Sequence, residues 1–430
     1  MKQQADLSQA AGMHDRSQRT SYVYRTLTSL ADSSQAPLRQ SLDRFGIHYT
    51  PYYLVNSLEV DGSALVRLYL LRQPGVDRVI PSPRLRPIPA LGQALSGPLE
   101  TVSGEPGWNV QMIGAERVWS EFRVTGKGIV VGQSDTGADG GHPALHDSYR
   151  GLSAGSDDYN WYDPWAGSRS PQDLQGHGTH TLGIALGKDG IGVAPGAQWI
   201  ACVNLERNLG NPAVYLNCMQ FMLAPFPQGG DPLKDGDPTR GAQVLNNSWG
   251  CPSIEGCDAG SLQPAVDALR QAGIFVAASA GNDGPRCGTL TNPPAIYASA
   301  FSVAAVDRSG SVASFSSRGP VTVDGSGRLK PDIAAPGVDV VSSLPGGGYG
   351  PESGTSMAGP HLAGVVALMW SANPALIGDI DRTEQILTST ARPYAGTRSP
   401  DECFTGGTPN DAYGHGIVDA YEAVKAALGR

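Results

Sequence analysis

From Trp108 onward, short β-branched and aliphatic runs alternate with stretches of helical periodicity, and that alternation restricts the chain to folds built on parallel strands. The runs are Gly128 to Val131, Trp199 to Val203, Gln243 to Asn246, Ile274 to Ala278 and Phe301 to Ala305. Parallel neighbours cannot be joined by a tight turn, so each crossover takes a helix and the sheet is covered on both faces. Ligands of such sheets sit beyond the carboxyl ends of the strands, so functional residues are expected just after them.

At 430 residues the chain exceeds one ordinary domain. Residues 1–20 read as a polar tail. Residues 21–88 read as a compact unit: a strand at Tyr22 to Leu27, then a helix carrying Leu38, Leu42 and Phe45. Strand-like sequence at Tyr52 to Val60, helical sequence at Ser63 to Leu71, a Pro74-Gly75 turn and a strand at Val76 to Ile80 complete the order β-α-β-α-β. That order suits a small α+β ferredoxin-like sandwich, either a folding and inhibitory prodomain or a binding module. Pro81 to Gly107 is rich in Pro, Gly and Ser, which sets residues 89–107 as a linker and 108–430 as the main domain.

The longest apolar stretches, Val365 to Trp370 and Ile274 to Ala278, are far shorter than the roughly 20 residues that cross a bilayer, so no membrane partner is expected. Net charge is −9 with no basic run, which argues against nucleic acid. Cys251 and Cys257 share one short loop, and the even count of six cysteines favours disulfides and an oxidising compartment. Met1 to Ala11 lacks the apolar core of a signal peptide, so an extracellular address implies a removed signal, and a cytoplasmic one stays open.

Three segments fall at strand ends or helix starts: Ser134-Asp135-Thr136-Gly137, Gly176-His177-Gly178-Thr179-His180 and Gly354-Thr355-Ser356-Met357-Ala358-Gly359-Pro360. Serine is a poor nucleophile unless an imidazole takes its proton and a carboxylate fixes the imidazole tautomer. Ser356, His177 and Asp135 supply those groups. The apolar run Pro360 to Trp370 reads as a helix with Ser356 at its N-terminus, where the dipole and the Ser356 N–H favour negative charge. Asn282, in Ala278-Ser279-Ala280-Gly281-Asn282-Asp283-Gly284 after a buried strand, offers a second donor for an oxyanion.

In the order Asp, His, Asn, Ser these segments resemble the subtilisin family of serine peptidases, the subtilases. The resemblance runs from about Trp108 to Leu428 and includes Gly192-Val193-Ala194-Pro195-Gly196-Ala197, Asn246-Asn247-Ser248-Trp249-Gly250, Lys330-Pro331-Asp332-Ile333-Ala334-Ala335-Pro336-Gly337 and Gly414-His415-Gly416-Ile417-Val418. It implies a three-layer α/β fold with a mostly parallel sheet. It also implies a triad of Asp135, His177 and Ser356, with Asn282 in the oxyanion hole. Ser248-Trp249-Gly250 and Ala280-Gly281 would wall the specificity pocket, and Leu209-Gly210 would lie beside an extended protein or peptide substrate. Leu54 to Val60 and Val76 to Ile80 resemble the family's propeptides, which implies an N-terminal domain that inhibits its own enzyme until cleavage near Gly97 to Gly107.

The acyl transfer implied needs no cofactor. Many relatives bind calcium in a loop ahead of the segment matched by Ile191-Gly192-Val193, but here only Lys188-Asp189-Gly190 intervenes, so no metal ligands are assigned. Asp157-Asp158 and Asp231 to Asp237 could bind a structural calcium, but such aspartate runs are more often simply solvated loops, so calcium stays open without assigned ligands. His142, His146, His180, His361 and His415 read as structural. Met357 would be sensitive to peroxide where its side chain is accessible. Two rival readings are a subtilase-type peptide ligase, which would need a water-excluding lid, and a noncatalytic peptide-binding protein, which would be expected to have lost a triad residue.

Overall fold

The computed structural model describes residues 1–83, 102–206, 209–393, 403 and 407–430. Its N-terminal unit consists of α1 (Arg16–Arg44), an antiparallel hairpin of β1 (Tyr49–Tyr52) and β2 (Ser57–Val60), and α2 (Ala64–Leu71). The strand expected at Tyr22 to Leu27 is helix. Buried Thr20, Val23, Tyr24, Leu27, Thr28, Ala31, Gln35, Leu38 and Leu42 follow a helical period that a six-residue window conceals. The threonine hydroxyls that favour strands return instead to Arg16 O (2.9 Å) and Tyr24 O (3.0 Å). Tyr52 to Val60 folds into the hairpin and Val76 to Ile80 forms no strand, so the order β-α-β-α-β is corrected to α-β-β-α.

Two short helices, α3 (Trp108–Met112) and α4 (Ala115–Arg117), open the main domain. There follow β3 (Val130–Asp135), α5 (Arg150–Ala154), β4 (Trp161–Tyr162), α6 (His177–Leu186), β5 (Gln198–Val203), α7 (Pro212–Leu223), β6 (Val244–Asn247), α8 (Gln263–Gln271), β7 (Phe275–Ser279), β8 (Phe301–Val306) and β9 (Ile333–Pro336). A hairpin of β10 (Val340–Leu344) and β11 (Gly348–Glu352) leads into α9 (Thr355–Ala372), and α10 (Ile380–Thr390) and α11 (Ala420–Ala427) close the chain.

The expected parallel sheet forms with strand order β4-β5-β3-β6-β7-β8-β9, every pair parallel. Successive strand side chains point to opposite faces, so each buried strand feeds two cores. Trp199, Ala201 and Val203 of β5 face the layer of α6, α9, α10 and α11, while Ile200 and Cys202 face α7 and α8. All six cysteines pair, as Cys202–Cys218, Cys251–Cys257 and Cys287–Cys403.

The N-terminal unit shares the second core: Val23, Tyr24 and Leu27 of α1 pack with Tyr53, Leu216 and Phe221. A helix leaves its last carbonyls without intrahelical donors. Arg19 supplies them to α8, donating to Gln271 O (2.6 Å) and Arg270 O (3.2 Å), and also reaches Gly378 O (2.8 Å). Its positive charge suits a helix C-terminus. Arg19→Ala should therefore lower unfolding stability by about 2 kcal/mol, the order expected for hydrogen bonds to a charged group. A denaturant midpoint equal to that of the wild type would show that these contacts contribute nothing.

Candidate active site

Asp135 is the last residue of β3 and is fully buried. Its Oδ1 accepts from Thr136 N (2.7 Å) and from His177 Nδ1 (2.7 Å). His177 is the first residue of α6, preceded by Gly176 at φ +102°, a conformation that glycine adopts without a Cβ penalty. Gly178 is required by close approach, because a Cβ there would stand 2.1 Å from Gly137 O. A carboxylate oxygen only accepts, so the neutral imidazole carries its proton on Nδ1 and leaves Nε2 as an acceptor, on a side chain that is 20% exposed.

Burial pulls the His177 pKa down, but Asp135 outweighs it through charge and hydrogen bond, with Glu352 and Asp173 adding, so it is pushed up to about 9. Asp173 escaped the sequence reading. This buried carboxylate accepts from Thr136 Oγ1 (3.0 Å), Gln175 N and Gly176 N (both 2.9 Å), Thr179 N (2.9 Å) and Thr179 Oγ1 (2.8 Å). It thereby ties the turn after Asp135 to the first turn of α6. Its only sequence signal is an acidic residue four positions ahead of a helix start.

Ser356 is the second residue of α9. Its Oγ donates to Ser248 O (3.1 Å) and is not hydrogen-bonded to His177. Pro360 lacks the N–H that would bond Ser356 O within the helix, and Ser248 Oγ donates there instead (2.9 Å). Ser279 Oγ likewise donates to Thr355 O (2.8 Å). Beneath the site a buried polar chain joins the two helices. Gln133 Nε2 donates to Thr181 Oγ1 of α6 (2.6 Å), Asn246 Nδ2 donates to Gln133 Oε1 and to Ser248 Oγ (both 3.1 Å), and Ser248 reaches α9.

Asn282 Oδ1 accepts from Thr355 N (2.9 Å) and Thr355 Oγ1 (3.0 Å), which fixes the amide and turns Nδ2 outward as a donor. A Cβ built on Gly354 would lie 3.6 Å from both Asn282 Nδ2 and Ser356 N, so the two donors converge on one small volume. An arrangement of this kind can bind an oxyanion.

The other expected residues also follow strand ends. Ser248, Trp249 and Gly250 lie past β6, Ala280 and Gly281 past β7, and Leu209 and Gly210 past β5. Gly210 is buried, and its N–H donates to Glu255 Oε1 (3.2 Å), so that donor is not open to a peptide. Met357 is 1% exposed and does not meet the accessibility that oxidation requires. His142 and His180 brace β11 through Gly348 O (2.9 Å) and Gly350 O (3.0 Å), while His361 reaches Met357 O (2.8 Å). Among the described residues no cluster of three or more His, Cys, Asp or Glu could hold a metal, and no helix is long and apolar enough to cross a membrane.

A sequence model of the subtilase family matches residues 126–416. The chain is 37% identical over 436 aligned residues to Bacillopeptidase F of Bacillus subtilis, covering 95% of this chain and 29% of that protein. It is 34% identical to Subtilisin E of the same organism, covering 58% of this chain and 57% of that protein. It is 32% identical to a thermostable alkaline protease of Halalkalibacterium halodurans, covering 76% of this chain and 75% of that protein. The chain thus spans less than two thirds of the first two relatives.

Raised by its acidic neighbours, the His177 ring should titrate on the alkaline side of ordinary histidine when followed by NMR, staying protonated as pH falls below about 9. Glu352→Gln removes one of the charges that favour imidazolium, so the midpoint should move to lower pH. A wild-type midpoint at or below the ordinary value would contradict this field.

Proposed function

The chain belongs to the subtilase family, and on that premise we propose that it is a serine endopeptidase hydrolysing proteins and peptides through an acyl-enzyme on Ser356. The 2.7 Å contact of His177 Nδ1 with Asp135 carries the reading, because it leaves Nε2 as an acceptor for the proton of the serine that opens α9. The Ser356 hydroxyl turns from Ser248 O to His177 Nε2 and gives up its proton as Oγ attacks the peptide carbonyl carbon. The oxyanion is met by Asn282 Nδ2 and Ser356 N–H at the positive end of the α9 dipole. His177 returns the proton to the leaving amine, and water, deprotonated by the same imidazole, releases the acid and restores Ser356. Asp135 stabilises the imidazolium at each stage.

Side chains together with the Ser356 N–H supply this chemistry. Main-chain pairing of an extended substrate along Ser248 to Gly250 and Ala280-Gly281 gives affinity with modest sequence selectivity, hence broad specificity. Three disulfides support an extracellular site of action. The N-terminal unit is read as the enzyme's own folding aid and inhibitor, made as a zymogen. Its described flanks support this, since Pro81 runs against Gly256 and Gly107 N–H is anchored to Gly190 O (2.9 Å). Residues 97–101 of the proposed processing stretch, Gly97 to Gly107, lie outside the described residues.

Intact-mass spectrometry with casein digestion tests the reading. Wild type should shed an N-terminal piece ending within residues 97–107 and digest casein, while Ser356→Ala does neither. A wild type that digests casein but stays whole would make the N-terminal unit a retained domain, and a folded wild type that does neither would end the enzyme reading. Loss of an oxyanion donor is known in this family to cost about 10²–10³-fold in turnover, and Asn282→Ala should fall by that order while remaining folded.

A further inference from the structure

The wall Ser248-Trp249-Gly250 runs straight into a loop closed by the Cys251–Cys257 disulfide, and inside that loop Glu255 is 2% exposed. Among the described residues no cation pairs with it. Among the described residues its two oxygens accept from neutral donors, Tyr215 Oη (2.6 Å) and Gly210 N (3.2 Å). Burying a carboxylate on such terms is costly, and burial pushes its pKa up. The Tyr215 ring lies flat on the Trp249 indole, with centroids 4.0 Å apart and planes 8° from parallel. The hydroxyl end of the same ring abuts Gly210, where a Cβ would stand 2.3 Å from both Tyr215 Cζ and Oη. Tyr215 therefore lies against both Trp249 and Gly210, and Glu255 holds the Tyr215 hydroxyl and the Gly210 N–H together.

Resting on the peptidase reading above, we infer that Glu255 is a positioning residue that sets the spacing between the 209–210 edge and the 248–250 wall, and so governs the binding of extended substrates. By turning the Gly210 N–H inward, the carboxylate leaves that edge only carbonyl groups to offer a peptide. By holding Tyr215 Oη it keeps the ring flat between the two rims. A substrate long enough to touch both rims senses that spacing, whereas one confined to the serine does not.

The test compares hydrolysis of a long peptide with that of a single-residue ester by wild type, Glu255→Ala, Glu255→Gln and Tyr215→Phe. Loss of a buried hydrogen-bonded carboxylate is expected to lower the long-to-short ratio of kcat/KM about tenfold in Glu255→Ala, through a rise in KM for the long peptide and not a fall in kcat. Glu255→Gln, which can still accept from Gly210 N, should recover most of the ratio, and Tyr215→Phe should show a smaller fall. If Glu255→Ala does not fold, the last two variants decide alone. An unchanged ratio, or an equal loss on both substrates, would overturn the inference while the peptidase reading stands. A wild type that hydrolyses neither substrate would overturn both.

Discussion

The site depends on the buried polar chain that runs from Thr181 through Gln133 and Asn246 to Ser248 and the carbonyl of Ser356. It crosses the sheet at β3 and β6 and connects α6, which begins with His177, to the first turn of α9, which carries Ser356. Each link joins groups shielded from water, where an unmade hydrogen bond costs more than a made one gains. The two helices therefore have one low-energy relation to each other. Pro360 is part of the same device, since it frees the carbonyl at which the chain ends.

Electrostatics complements this geometry. Asp135, Asp173 and Glu352 all push the His177 imidazole toward its charged form, against its burial. A base that becomes positive during reaction is stabilised by that field, and a base that must start neutral is helped by alkaline conditions. Asp173 contributes twice, through charge and through its five accepted hydrogen bonds, which hold both Thr136 and the first turn of α6.

The parallel sheet was readable in the sequence where apolar runs mark its strands, as at Trp199 to Val203 and Phe275 to Ala278, and the Asp135, His177, Asn282 and Ser356 segments because each is a local motif at a strand end or helix start. Asp173 and Glu255 were not readable. Their distant partners Thr136, Tyr215 and Gly210 lie 37, 40 and 45 residues away, and the nearby donors Gln175, Gly176 and Thr179 leave Asp173 no signal beyond that of an acidic residue ahead of a helix. The region Tyr22 to Leu27 misled for the opposite reason. Its local composition favours a strand, yet the burial that decides its state follows a period seen only across the whole of α1.

The seating of α1 on the main domain bears on how the chain is made. Arg19 binds carbonyls 251, 252 and 359 residues further along. A ribosome emitting roughly 5–20 residues per second would deliver those partners many seconds after the helix itself. Until the main domain folds, Val23, Tyr24 and Leu27 have only near neighbours such as Tyr53 to cover them, and closing so long a loop costs entropy before any contact repays it. A helix synthesised more than two hundred residues ahead of its partners is thus among the last to reach its final surroundings, and during that interval its apolar stripe is open to chaperones and to neighbouring nascent chains.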